Sequence, residues 1–392
     1  MFAVFQPARN LWRWVLPMLG VLGLAACEPI DLGGFGGDGQ SINPNKAVPV
    51  ALLIPRGSGN GSDDVLAQSL ENAALMAASE LQGVEIDLRV YPTGGNAQTA
   101  AARAQQAVDE GAKIILGPVF AESANAAGVA VADDNVNVLT FSNNTSIAGG
   151  NVFLLGNTFE NTARRLSSFA RSRGKSNVLV VYGNDVSGAA GRDAIVGGLS
   201  RAGNQVAGTV PYELSQQGVS NAIPQITSAV RGGGVDAVFL TSTSSGALPL
   251  YATLLPEAGI DPAVTQMIGL TRWDIPGQNL SLSGLQGGWF AVPDPNRTAT
   301  FSSRYTALYG SAPHPIGSLA FDGIAAIGAL VARGDSGALT RGSLTQSAGF
   351  QGAGGVFRFL SDGTNQRALA VATAQNGQRV IVDPAPAGFG GF

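Results

Sequence analysis

From Val48 onward the chain alternates short unbroken apolar runs with longer stretches whose apolar residues recur every three or four positions. The first run, VPVALLIP, leads through Gly-Ser-Gly-Asn-Gly into SDDVLAQSLENAALMAASEL, where Leu66, Leu70, Ala73, Ala77 and Leu81 fall on one helical face. Ser62 is placed to cap this helix, and Asp63 and Asp64 suit its positive end. VEIDLRVY, a turn at PTGGN, and an Asn96-capped helix ended by Gly111 come next, followed by KIILG, a helix over AESANAAGVAVADD, and VNVLTF. Strands apolar on both sides and separated by helices predict a parallel sheet covered on both faces.

A second cycle begins near Thr158. Its strands NVLVVYG, QVAGTVPY, VDAVFLTS and TQMIGL are again spaced by helical segments, and GLQGGWFAVPDP reads as a strand leaving this unit. Helices over TATFSSRYTALYG and IGSLAFDGIAAIGALVARG follow with no strand between them, so they are expected to return and cover the first unit. The remainder alternates as antiparallel strands, with turns at Asp362-Gly363 and Asn376-Gly377. The fold class expected is α/β, two doubly wound lobes joined by a three-strand hinge. Residues 48–157 with 293–348 are assigned to the first lobe, and 158–292 with 349–382 to the second.

The ends read differently. Arg9 and Arg13 precede WVLPMLGVLGLAA, an apolar segment short for a membrane span, which stops at the only cysteine of the chain. Leu-Ala-Ala-Cys in this position resembles the lipobox of bacterial lipoproteins, so residues 1–26 are expected to be a signal segment and Cys27 the acylated first residue. A lone thiol in an oxidising compartment invites mispairing, and lipidation accounts for its solitude. Residues 27–47 have the composition of a flexible tether, and residues 383–392 that of a flexible tail. Loss of residues 1–26 removes two arginines and no acid, which takes the formal charge from −4 to −6. With no basic patch in view, nucleic acid is excluded as a partner, and contact with the membrane is expected through the lipid alone.

Catalysis is poorly provided for. The sole histidine, His314, lies between two prolines, and the sole cysteine is in the lipobox, so Cys/His nucleophile pairs and Cys/His zinc sites are not available and no cofactor is implied. RGSGNGS lacks phosphate-loop spacing and runs into two acids that would repel phosphate.

Over the body, VALLIP…LENAALMA, GAKIILGPVFAESANAAGVAVADDNVNVLTFSNN, NVLVVYGNDVSGAAGRDAIVGGLSRAG and VDAVFLTS resemble the type I periplasmic binding proteins, in particular the leucine/isoleucine/valine-binding branch. The resemblance implies a small polar ligand held between lobes. Open parallel sheets also bind ligands beyond the carboxyl ends of their strands. The candidate ligand residues are Ser142, Asn143, Asn144 and Thr145 from the first lobe, and Asn184, Ser187, Arg272 and Trp273 from the second. Relative to amino-acid-binding members, Ala121 stands where a serine is expected, Ser187 near the aromatic, and Thr271 with Arg272 near the acid. The segment GLTRWDIP is similar to the penicillin-binding-protein activator lipoproteins of the same superfamily. On that resemblance the expected role is a noncatalytic outer-membrane lipoprotein stimulating a cell-wall synthase. The alternative is the solute receptor of an ABC importer, with the permease as its partner.

Overall fold

The computed structural model describes residues 39–389. Cys27 and the expected signal segment lie outside the described residues.

The first lobe is built on β1 (Val48–Ile54), α1 (Gly61–Glu80), β2 (Ile86–Pro92), α2 (Ala97–Asp109), β3 (Ile114–Leu116), α3 (Ala121–Ala130), β4 (Asn137–Thr140) and β5 (Val152–Leu154). Its sheet runs β2-β1-β3-β4-β5, and all its neighbours are parallel. Strand alternation divides β1 between two cores: Val50, Leu52 and Ile54 face α1, while Ala51 and Leu53 face α2 and α3. Asn60, rather than Ser62, caps α1 by accepting the Ser62 N–H. Asn96 caps α2 as expected.

The second lobe carries α4 (Phe159–Ser172), β6 (Asn177–Gly183), α5 (Val186–Arg201), β7 (Gln205–Tyr212), α6 (Gln216–Arg231), β8 (Ala237–Leu240), α7 (Leu248–Glu257), β9 (Gln266–Gly269) and β10 (Trp289–Val292). The chain then returns to the first lobe through α8 (Pro295–Tyr309), α9 (Ser318–Val331) and α10 (Arg341–Leu344), and α9 packs on α1. A small antiparallel sheet follows, of β11 (Phe350–Gly352), β12 (Gly355–Phe359) and β13 (Asn365–Arg367). Finally β14 (Ala370–Gln375) and β15 (Gln378–Asp383) add antiparallel to β10, which completes the order β15-β14-β10-β9-β8-β6-β7. Asn376 and Gly377 both have positive φ in the β14–β15 turn.

Three boundaries differ from expectation. Phe350, Phe357 and Phe359 are buried in the same core as Phe153 and Ile324, so residues 349–368 belong to the first lobe and the last crossing falls at Ala368–Leu369. The expected tether ends early: Ile42 is buried in the first-lobe core, its N–H bonds to the Ser336 carbonyl, and Gln40 Nε2 donates to the Asp134 carbonyl. At the other end Asp383 closes β15 and pairs with Arg165 at 2.7 Å, so the tail begins in the sheet. The lobes are thus joined by crossings at residues 155–158, 293–294 and 368–369.

Candidate functional site

The loops after β4 and β6 and the first turns of α4 and α5 enclose a polar cavity of about 460 Å³. Asn143, Asn144, Thr145, Glu160, Asp185 and Ser187 contribute to its wall. Much of this polarity is already engaged. The Asn144 side chain accepts the Ser146 N–H, Asp185 caps α5 by accepting the Gly188 N–H at 2.8 Å, and Thr145 Oγ1 lies 3.4 Å from Glu160 Oε1.

Phe159 separates this space from a second, mostly apolar cavity of about 260 Å³. Its wall takes Leu270, Thr271, Arg272 and Ile275 from beyond β9, Pro315, Ile316 and Leu319 from the approach to α9 and its first turn, Arg367 from the end of β13, and Asn157, Pro293 and Leu369 from the crossings. Both lobes and the hinge therefore contribute, beyond the carboxyl ends of the strands where open parallel sheets bind ligands.

The only charged groups on this wall are two guanidiniums. Arg272 donates to both oxygens of Asp274, at 2.9 and 2.6 Å, and Arg379 donates to the same carboxylate at 2.7 Å. Burial would raise the pKa of Asp274, but the two guanidiniums outweigh it and hold the carboxyl below its ordinary value. Two cations share one anion here, which leaves one positive charge unbalanced. Arg367 donates to Asp322 Oδ2 at 2.8 Å and to the Leu155 carbonyl at 2.8 Å, while its Nη2 has no partner. Asp322 is fully buried, and that burial pushes its pKa up against the pull of Arg367 and the Ala353 N–H.

The candidate residues are thus divided. Asn143, Asn144, Thr145 and Ser187 line the polar cavity, and Arg272 lines the apolar one. Ser142 is a buried turn residue whose Oγ accepts the Asn144 N–H. Asn184 is exposed and donates to Glu213 at 2.7 Å, so it lines neither cavity. Trp273 is a correction: it is 0 % exposed and packs in the second-lobe core against Phe290, in the room left by the missing side chains of Gly269 and Gly288. Phe159, Leu319, Leu369 and Arg367 were not anticipated. The segment HPIGSLAFDG, read only as the approach to a covering helix, carried the signal for the α9 wall.

Among the described residues the ring of the sole histidine has no nucleophile or acid paired with it. His314 Nδ1 accepts the Ile316 N–H at 3.4 Å, and burial lowers its pKa. Among the described residues no group of His, Cys, Asp and Glu is placed to hold a metal ion.

The profile of the periplasmic binding proteins matches residues 47–379, nearly the whole described body. The chain belongs to the periplasmic binding protein family. Members of this family bind rather than transform their ligands, in keeping with the site. Among solved structures, a branched-chain amino acid ABC transporter periplasmic ligand-binding protein from Burkholderia xenovorans LB400 is 17% identical, with 87% of this chain and 96% of that one covered and a TM-score of 0.68. An ABC transporter substrate-binding protein from Desulfitobacterium hafniense in complex with Leu is 17% identical over 86% and 100% of the two chains, with a TM-score of 0.63. A solute-binding protein of an R. palustris ABC transporter in complex with benzoate is 16% identical over 87% and 98%, with a TM-score of 0.56. At these identities the likeness is one of fold. No curated protein matches the chain.

Proposed function

We propose that this periplasmic binding protein is the solute receptor of an ABC importer, and that its ligand is a small apolar carboxylate without an ammonium group. The observation that carries this reading is the wall of the apolar cavity: both lobes and the hinge supply it, and its only charges are Arg272 and Arg367. A carboxylate there meets the unbalanced charge of the Arg272–Asp274–Arg379 group. An amino acid would bring its ammonium to a wall with no free acid, since Asp274 and Asp322 are both engaged by arginines. Hydrocarbon is matched by Phe159, Leu270, Ile275 and Leu319.

The role as activator of a cell-wall synthase leaned on GLTRWDIP. With Trp273 in the core and Arg272 and Asp274 paired to one another, that segment offers no aromatic anchor to a partner protein, and the transport reading takes precedence.

Calorimetry of the mature chain with benzoate and short branched carboxylates beside leucine, isoleucine and valine tests both parts. The carboxylates are expected to bind and the amino acids not, with Arg272→Gln weakening carboxylate binding about tenfold to a hundredfold, the worth of one charge-assisted hydrogen bond. Tight leucine binding would overturn the ligand class and leave the receptor standing. Silence across the panel would count against the receptor itself.

A further inference from the structure

Behind the hinge, on the side of α4 and the end of α5, lies another cavity of about 260 Å³. Arg164, Arg165 and Arg201 line it together with residues 366–369 and Phe389. Charge is distributed unevenly here. Arg165 is paired with Asp383 at 2.7 Å, the one carboxylate that serves this group. Arg164 has only the neutral Asn161 Oδ1, at 3.0 Å. Arg358 donates to the Gln366 amide oxygen at 2.9 and 2.6 Å and to the Ser347 carbonyl, and its guanidinium lies 4.7 Å from the Phe389 ring centroid. Arg201 makes no ion pair among the described residues. Burial first, then repulsion from Arg201 and Arg358, pushes the pKa of Arg164 down to about 10. It stays charged at neutral pH, so Arg164 and Arg201 face the cavity without an acid, with the Arg358 guanidinium nearby. Ala368, Leu369, Pro386 and Phe389 give the wall its apolar part, and Asn161, Ser168, Gln366 and the Asp322-paired Arg367 complete it.

We infer that this cavity is a binding site for a phosphate monoester with an apolar body, its phosphate held by Arg164 and Arg201 and its hydrocarbon set against Ala368, Pro386 and Phe389. A phosphate monoester carries close to two negative charges at neutral pH, and planar guanidiniums hold its oxygens in pairs. The phosphate end of the site is separate from the receptor reading: Arg367 and Leu369 stand in both walls, but neither Arg164 nor Arg201 lines the cavity assigned to the transported solute.

The test is calorimetry of the mature chain with phenyl phosphate in chloride buffer at matched ionic strength, with inorganic phosphate and benzoate as parallel arms. One saturable phenyl phosphate site is expected, with inorganic phosphate binding more weakly for lack of the apolar contact. Arg164→Gln and Arg201→Gln should each weaken phenyl phosphate binding about tenfold or more, as one lost charge-assisted contact requires, while leaving any benzoate binding unchanged. Arg201 is exposed, so its variant keeps the test valid if Arg164→Gln fails to fold, which circular dichroism reports. No saturable phenyl phosphate heat, or an affinity indifferent to Arg201→Gln, would overturn the site. Equal affinity for inorganic phosphate would overturn the apolar part of the ligand.

Discussion

Trp273 sits where a side chain added at Gly269 of β9 or at Gly288, just before β10, would collide with it, and this gives a quantitative test of its place in the core. A Cβ built on Gly269 lies 2.7 Å from Trp273 Cζ2 and closer still to Nε1, and one built on Gly288 lies 2.8 Å from Cη2. Contacts under 3.0 Å are not sustained by real side chains. The ring cannot retreat, being 0 % exposed and bounded by Phe290 at 5.6 Å between centroids. Gly269→Ala should therefore cost about 1–3 kcal/mol through overpacking alone. Trp273→Leu removes the indole ring, including Cζ2 and an Nε1 that has no hydrogen-bond partner. Relief of that unsatisfied donor, worth about 1–3 kcal/mol, offsets part of the lost packing. In the double variant the new methyl occupies space that the indole vacated, so the two changes should be coupled favourably by about 0.5–3 kcal/mol. Urea unfolding followed by circular dichroism, on wild type, both single variants and the double variant, measures the cycle. Additivity within about 0.5 kcal/mol would refute the argument that glycine at position 269 exists to admit the indole.

Two further outcomes are expected. Asp274 is held below its ordinary carboxylate range, so the stability it contributes should be fully present above the unfolded value near 3.8 and lost as pH falls through the lower folded value; urea unfolding of wild type and Asp274→Asn should differ at neutral pH and converge in acid, and a pH-independent difference would contradict this. Cys27 should take up label when cells are fed a lipid precursor and Cys27→Ser should not, whereas an unlabelled wild-type chain would remove the lipid anchor from the picture.

Period and punctuation made most of the fold legible. Unbroken apolar runs such as VPVALLIP mark strands covered on both faces, and the two helices without a strand between them, α8 and α9, do return to the first lobe. The crossing after β13 was hidden because β12, β13 and β14 share one antiparallel alternation; only the burial of Phe350, Phe357 and Phe359 with the first lobe tells the small sheet from the large one. β5 has three residues, too few to carry a period. Ile42 docks the supposed tether with a single side chain, which composition cannot reveal. For the site, loops after strands were the right place to look, but side-chain direction within them was not readable: Arg272 faces the cavity and its neighbour Trp273 the core. Arg367 was invisible as a wall residue since it belongs to a strand whose lobe had been misassigned.

Arg367 and Asn161 also bear on how the two lobes can move. The Arg367 N–H bonds to Asn161 Oδ1 at 3.0 Å, and Asn161 Nδ2 donates to Asn365 Oδ1 at 2.6 Å, so the first turn of α4, in the second lobe, is tied to β13, in the first. The Arg367 side chain continues the tie, through Nε to the Leu155 carbonyl in the first crossing and through Nη1 to Asp322 on α9. A rotation that parted α4 from β13 would strand these buried polar groups, at about 1–3 kcal/mol for each one left unsatisfied. Buried ion pairs add little net stability over apolar packing, so the Asp322–Arg367 pair is better understood as fixing geometry than as strengthening the fold. Rotation must then pivot about this contact rather than break it. The polar cavity of Asn143, Thr145, Asp185 and Ser187 is lined by no residue of the three crossings, and it is the part of the gap free to widen. The apolar cavity, with Asn157, Pro293 and Leu369 in its wall, stays anchored to the pivot. On the proposed receptor reading, a solute would enter past the polar loops and come to rest against the hinge, where the residues that hold the lobes together would also form its binding wall.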